Sequence, residues 1–100
     1  MNNKLLSLLG IARRAGRISL GFDAVVDSVH GGKCKLLLLA NDLSERTKRA
    51  IVRTADDSKV KTVFLDIPME ELGASVGKLT GIIAVNDQGF ADKMITLCNG

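Results

Sequence analysis

Catalytic or metal chemistry in this chain would have to be built from its sole histidine, His30, its two cysteines, Cys34 and Cys98, and the acidic pairs Asp56-Asp57 and Glu70-Glu71. Their spacing builds neither. A zinc site needs several Cys or His ligands at short, regular separations, and here two cysteines lie far apart with a single histidine. In a chain without a secretion signal they are expected to be free thiols. His30 fits a helix end, where its charge complements the dipole, better than a metal ligand or general base. Adjacent carboxylates on a helix diverge, so each acidic pair is expected to be solvated surface. Gly73-Ala74-Ser75-Val76-Gly77 spells Gly-x-Ser-x-Gly, but it falls at the end of an expected helix and not on the strand-to-helix turn that a nucleophile elbow needs. No Gly-Lys-Ser/Thr phosphate loop occurs. The expectation is a protein with no catalytic activity, no metal and no cofactor.

The basic residues are a better guide. The net charge of +3 conceals a gradient. Residues 1–20 carry Lys4, Arg13, Arg14 and Arg17 with no acid, and residues 31–61 carry eight basic against four acidic groups. From residue 62 onward Lys78 and Lys93 face five acids. A basic half on a small domain suggests a polyanionic partner, because Lys and Arg release counterions from phosphate backbones. With three Phe and no Tyr or Trp, a stacking platform for single strands is not expected. Phe64 and Phe90 are assigned to the core. The helical phase of Phe22 places it with Val25 and Val29 in the core, the preferred reading, while its position at a helix start places it near a potential site.

Elements that could position these groups follow from periodicity. Leu5, Leu8, Leu9 and Ala12 share one face of a helix from Lys4 to Ala15, stopped by Gly16. Ile18 to Leu20 is a short strand. Phe22, Val25, Val26 and Val29 form one face of a second helix, ended by Gly31 and Gly32. Leu36 to Ala40 is apolar without alternation, which predicts a central strand buried on both faces. Asp42 with Glu45 resembles a capping box for a helix from about Ser44 to Asp57, with Ile51, Val52 and Ala55 inward. Thr62 to Leu65 is a third strand. Pro68 opens a fourth helix with Glu70 and Glu71 in its first turn, and Gly77 ends it. Ile82 to Val85 is a fourth strand, and Asp87 caps a last helix with Phe90, Met94 and Leu97 on one face.

The order αβαβαβαβα with short connections predicts an α/β/α sandwich. One hundred residues suit a single domain, residues 1–100, burying roughly 60–70% of its unfolded surface. The longest apolar run has five residues, against roughly 20 needed to cross a bilayer. Arg13 and Arg14 interrupt any signal-peptide core, so a cytoplasmic protein without a membrane is expected. Ligands of such folds bind at loops beyond one sheet edge. The connections that qualify are Leu20-Gly21-Phe22-Asp23, Ala40-Asn41-Asp42-Leu43 and Gly77-Lys78-Leu79-Thr80-Gly81.

Leu8 to Arg17, Leu20 to Val25, Lys35 to Asp42, and Leu72-Gly73-x-x-x-Gly77-Lys78 together resemble the ribosomal-protein superfamily that includes L7Ae and L30e, and most nearly its small bacterial YlxQ-like members. The resemblance spans almost the whole chain. It implies a three-layer sandwich with a four-stranded mixed sheet, and binding of structured RNA, ribosomal or kink-turn-like, by a monomer that could work with the ribosome. The family's kink-turn binders open their second helix with Gly-x-Asn-Glu and a Lys three residues later. Here Gly21 is kept, but those polar positions hold Asp23, Ala24 and Asp27. A carboxylate can still accept from guanine, whereas Ala24 reads nothing and Asp27 repels phosphate. Standard kink-turn binding is therefore expected to be weakened. By the same resemblance Asn41, Asp42, Lys78, Leu79, Thr80 and Gly81 join Gly21, Phe22 and Asp23 at the RNA, with Arg13, Arg14, Arg17, Lys33, Lys35 and Arg46 available to its backbone. Asp42 could instead serve only as an N-cap, and Leu79 only as a buried anchor. The alternative for the whole chain is a protein-interaction module that keeps the fold but has lost RNA recognition.

Overall fold

The computed structural model describes residues 3–99; Met1, Asn2 and Gly100, part of the expected 1–100 unit, lie outside them. Helix and strand alternate as the periodicity predicts: α1 Asn3–Arg14, β1 Ile18–Leu20, α2 Phe22–His30, β2 Leu36–Leu39, α3 Glu45–Asp57, β3 Thr62–Phe64, α4 Met69–Val76, β4 Ile82–Val85 and α5 Gln88–Asn99. No helix among the described residues is long and apolar enough to cross a membrane.

The strands form one mixed sheet in the order β1-β4-β2-β3. Strand β4 runs antiparallel to both β1 and β2, and β2 runs parallel to β3. Successive side chains of a strand face opposite sides, and β2 uses both. Leu36 and Leu38 pack under α1, α4 and α5, beside Leu5, Leu9, Leu72 and Met94. Leu37 and Leu39 pack under α2 and α3, beside Val25, Val29, Ile51 and Ala55. All four leucines are fully buried, each contributing roughly 1.5–3 kcal/mol. This is why the run shows no alternation. The result is a three-layer α/β/α sandwich.

Register decides what lies at each edge of the sheet. Leu20 pairs with Ile83, Leu39 with Ile82 and also with Phe64. The last residues of β1, β2 and β3 therefore lie level with the first two of β4. At the other end Asn86 N–H donates to the Arg17 carbonyl (2.8 Å) and Lys35 N–H to that of Val85 (2.8 Å). Ser28 ties α2 to the same end, donating to Asn86 Oδ1 (2.6 Å), whose amide donates to Ser19 Oγ (2.9 Å).

Two aromatic expectations fail here. Phe64, assigned to the core, is 60% exposed, because β3 is an outer strand and its α3-facing side is only partly covered. Phe22 is 40% exposed, since it is the first residue of α2 and precedes the turn that brings Val25 onto the sheet. Phe90 does pack against the core.

Candidate nucleic-acid interface

The β1–α2, β2–α3 and α4–β4 connections are joined through their backbones at one edge. Gly21 N–H donates to the Ile82 carbonyl (3.0 Å), Ala40 N–H to that of Gly81 (2.9 Å) and Asn41 N–H to that of Ile67 (3.0 Å). Gly21 has φ 88°, a left-handed conformation that a side chain would strain. As N-cap of α2 it offers no side-chain acceptor, so the first N–H groups of that helix face outward, where an anion is favoured. Asp23 stands exposed in the same first turn.

In the second loop both polar side chains are held from afar. Asn41 donates its amide to Asp66 Oδ1 (3.1 Å), and Asp42 Oδ1 accepts from Met69 N–H (2.9 Å). Asp42 is thus a cap, but for α4 and not for α3 as the capping-box pattern predicts. Ser44 caps α3, accepting from Thr47 N–H (3.2 Å), because it is the last extended residue before that helix. Both loop residues remain exposed to an incoming partner.

The third loop depends on a missing side chain. Gly77, with φ 83°, ends α4, and Lys78 and Leu79 then double back over the helix. A Cβ on Gly73 would stand 2.8 Å from Leu79 Cα and 3.1 Å from the Lys78 carbonyl oxygen. Leu79 is left 72% exposed, so it is not the buried anchor. Thr80 is buried, its hydroxyl donating to the Ile82 carbonyl (3.0 Å); it shapes the loop and does not present its side chain. Gly81 is packed tightly against Leu43 and Met69.

The structure divides the sequence-derived candidates. Gly21, Phe22, Asp23, Asn41, Asp42, Lys78, Leu79, Thr80 and Gly81 share this edge, and Arg46, second residue of α3, stands beside it. Arg13, Arg14, Arg17, Lys33 and Lys35 lie at the opposite edge, with Asn86 and Val85. At roughly 3.3 Å per residue the sheet separates the two edges by about 10 Å or more. The reason is chain order: these five precede β1 or β2, whereas the loops follow them. Asp66 and Gly73, which hold the loops in place, carried no local signal of that role; Ser44 did, as a serine directly before a helix, but the Asp42–Glu45 spacing drew the assignment.

His30 is the last residue of α2, and no cluster of three metal-binding side chains exists among the described residues. Both cysteines are free. Burial pushes the Cys34 thiol above the usual thiol range, opposed in part by hydrogen bonding to the Leu36 and Val85 backbone and by Lys35. Burial raises Cys98 as well.

Fold and edge together define a class: small three-layer α/β/α proteins that gather three loops at one end of a mixed sheet. Residues 3–95 match the ribosomal protein L7Ae/L30e/S12e/Gadd45 family, and the chain belongs to it. It is 36% identical over 91 residues to the RNA-binding protein YlxQ of Bacillus subtilis (strain 168), covering 90% of each chain. To the RNA-binding protein YlxQ of Enterococcus faecium it is 30% identical over 103 aligned positions, covering 97% of this chain and 93% of the other. The large ribosomal subunit protein eL30 of Eremothecium gossypii is 32% identical over 91 residues, 89% of this chain and 87% of that one. Among solved structures, a Bacillus halodurans C protein of unknown function superposes with a TM-score of 0.91 at 31% identity, covering 97% and 98% of the two chains. The Giardia lamblia 15.5 kD RNA-binding protein shares the fold, with a TM-score of 0.76 at 18% identity over 99% of this chain and 88% of that chain. The chain is a YlxQ-like member of a non-catalytic family.

Proposed function

We propose that this protein binds structured RNA without catalysing a reaction, using residues 1–100 as one unit and the three-loop edge as its contact surface. The carrying observation is that edge itself: an open helix N-terminus at Gly21, the paired Asn41 and Asp42, and an exposed Leu79 beside Lys78. Relatives named RNA-binding protein YlxQ and eL30 support the same reading. In it, Asn41, Asp42 and Asp23 meet base edges, Leu79 and Phe22 cover a base turned out of its stack, and Arg46 and Lys78 meet phosphate. Ribosomal and kink-turn-like RNAs are the first ligands to test, with the protein acting as a cytoplasmic monomer at or near the ribosome. Ala24 and Asp27, both exposed on α2, lower the affinity expected for a standard kink-turn and favour a variant of it.

The test is titration of the protein against a panel of kink-turn and ribosomal RNA fragments at low salt. The expected result is binding of at least one folded RNA, with log K falling linearly against log salt, and its loss in Lys78→Glu and Asn41→Ala. Absence of binding across the panel defeats the proposal and favours the protein-interaction module.

A further inference from the structure

Beyond the loop edge, the outer strand β3 and helix α3 expose a second surface. The Phe64 ring is 60% open to solvent, although burial of an aromatic ring is strongly favoured. It borders a shallow hollow of about 310 Å³ shared with Lys48, Arg49 and Val52. Lys48 Nζ lies 5.8 Å from the ring centroid, near the outer limit of cation–π attraction. The same ammonium pairs with Glu45 (3.2 Å). Arg46, Arg49 and Arg53 follow at i, i+3 and i+7 along α3, all exposed, so they share one outward stripe. Among the described residues no ion pair engages any of these three arginines.

We infer that this surface binds a single-stranded stretch of RNA, one unpaired base stacking on Phe64 while the arginine stripe of α3 takes the adjoining phosphates. Three observations select that occupant. An open ring beside unpaired guanidinium groups is the pairing single-stranded nucleic acid requires, a π-face for a base and cations for its backbone. Positive charge leads on the part of α3 beside the ring, where Arg46, Lys48 and Arg49 face Glu45 alone, with Asp56 and Asp57 set at the far end of the helix past Arg53. The surface is also continuous with the loop edge: Asp66, two residues beyond Phe64, holds Asn41, and α3 begins at the loop that carries Asn41 and Asp42. A strand leaving a folded element at the loops would run directly over α3. The inference rests on the RNA reading above for its biological partner, but not for its chemistry.

The chain contains no tryptophan, so F64W places a single reporter in the full-length protein. Titration with a short oligouridylate should quench its emission saturably, and adding R49E and R53E should abolish the quenching at the same concentrations. In parallel, F64A should weaken binding of a kink-turn hairpin bearing a single-stranded uridine tail by at least about fivefold, the lower end of what one base–aromatic stack contributes. Binding of the same hairpin without the tail should not change. F64W emission that ignores saturating oligouridylate overturns the inference, as does equal affinity of F64A and the parent for the tailed hairpin. Quenching by polyglutamate but not by oligouridylate overturns it in favour of an acidic protein segment. If neither hairpin binds the parent and oligouridylate still quenches, the loop-edge proposal falls while the Phe64 surface stands.

Discussion

Asp42 shows how a residue's role depends on what folding brings to it. Its carboxylate accepts from Met69 N–H, 27 residues away, so it closes the N-terminus of α4 while its own loop stays open. Asp42→Ala should cost about 1 kcal/mol, as loss of an N-cap does, and Asp42→Asn should restore most of it; urea unfolding of the two variants checks this. Gly73 is more exacting. A methyl there would meet the Leu79 backbone at 2.8 Å, and backbone cannot move aside as a side-chain tip can. Gly73→Ala should destabilise by about 1–3 kcal/mol through overpacking and displace Lys78 and Leu79, so RNA affinity should fall by more than stability alone predicts. Cys34 titrates within the fold. Its thiol is held above the usual range chiefly by burial, so the unfolded chain loses its proton first as pH rises. The stability this provides is full below the unfolded pKa and is lost as pH climbs through the folded one. Cys34→Ala should flatten the alkaline decline in melting temperature.

At the scale of elements, α3 combines strain with display. Its inward face is narrow, with Ile51 and Ala55 fully buried, and the rest of the helix is free to carry arginines. Its exit is costly, because Lys59 adopts φ 58°, where the Val60 N–H can reach the Ala55 carbonyl (2.9 Å). Glycine is the residue this turn calls for. Lys59→Gly should stabilise the protein by about 0.5–1 kcal/mol, since an L-residue in that region costs roughly 1–2 kcal/mol and added freedom in the unfolded chain returns part of the gain; thermal unfolding provides the measurement. A decrease in melting temperature would mean that the Lys59 side chain contributes more than its backbone costs.

The whole molecule, about 30 × 27 × 25 Å, carries two basic regions on opposite edges of one sheet. Arg46 and Lys78 stand at the loop edge, with the α3 stripe beside it, while Arg13, Arg14, Arg17, Lys33 and Lys35 stand at the other. If RNA is held at the loops, Lys78→Glu should weaken binding well beyond what Arg17→Glu does, and should lower the slope of log K against log salt by about one, the share of a single phosphate contact. Equal losses from the two variants would show that the RNA reaches both edges.

The sequence alone determined the succession of elements, the doubly buried β2 and the glycines that close α1, α2 and α4, because hydrophobic period and backbone φ are local properties. It also held the family resemblance and the three loops, since each loop is a contiguous segment. Strand order was beyond it. That β4 inserts antiparallel between β1 and β2 depends on which surfaces bury most apolar area together, and this one choice brings the Lys78–Gly81 loop beside Gly21 and Asn41. The outer position of β3, which turns Phe64 from an expected core residue into an exposed ring, follows from the same choice. The pairs Asn41 with Asp66 and Asp42 with Met69 span 25 and 27 residues, and only the folded sheet sets those partners within hydrogen-bond reach.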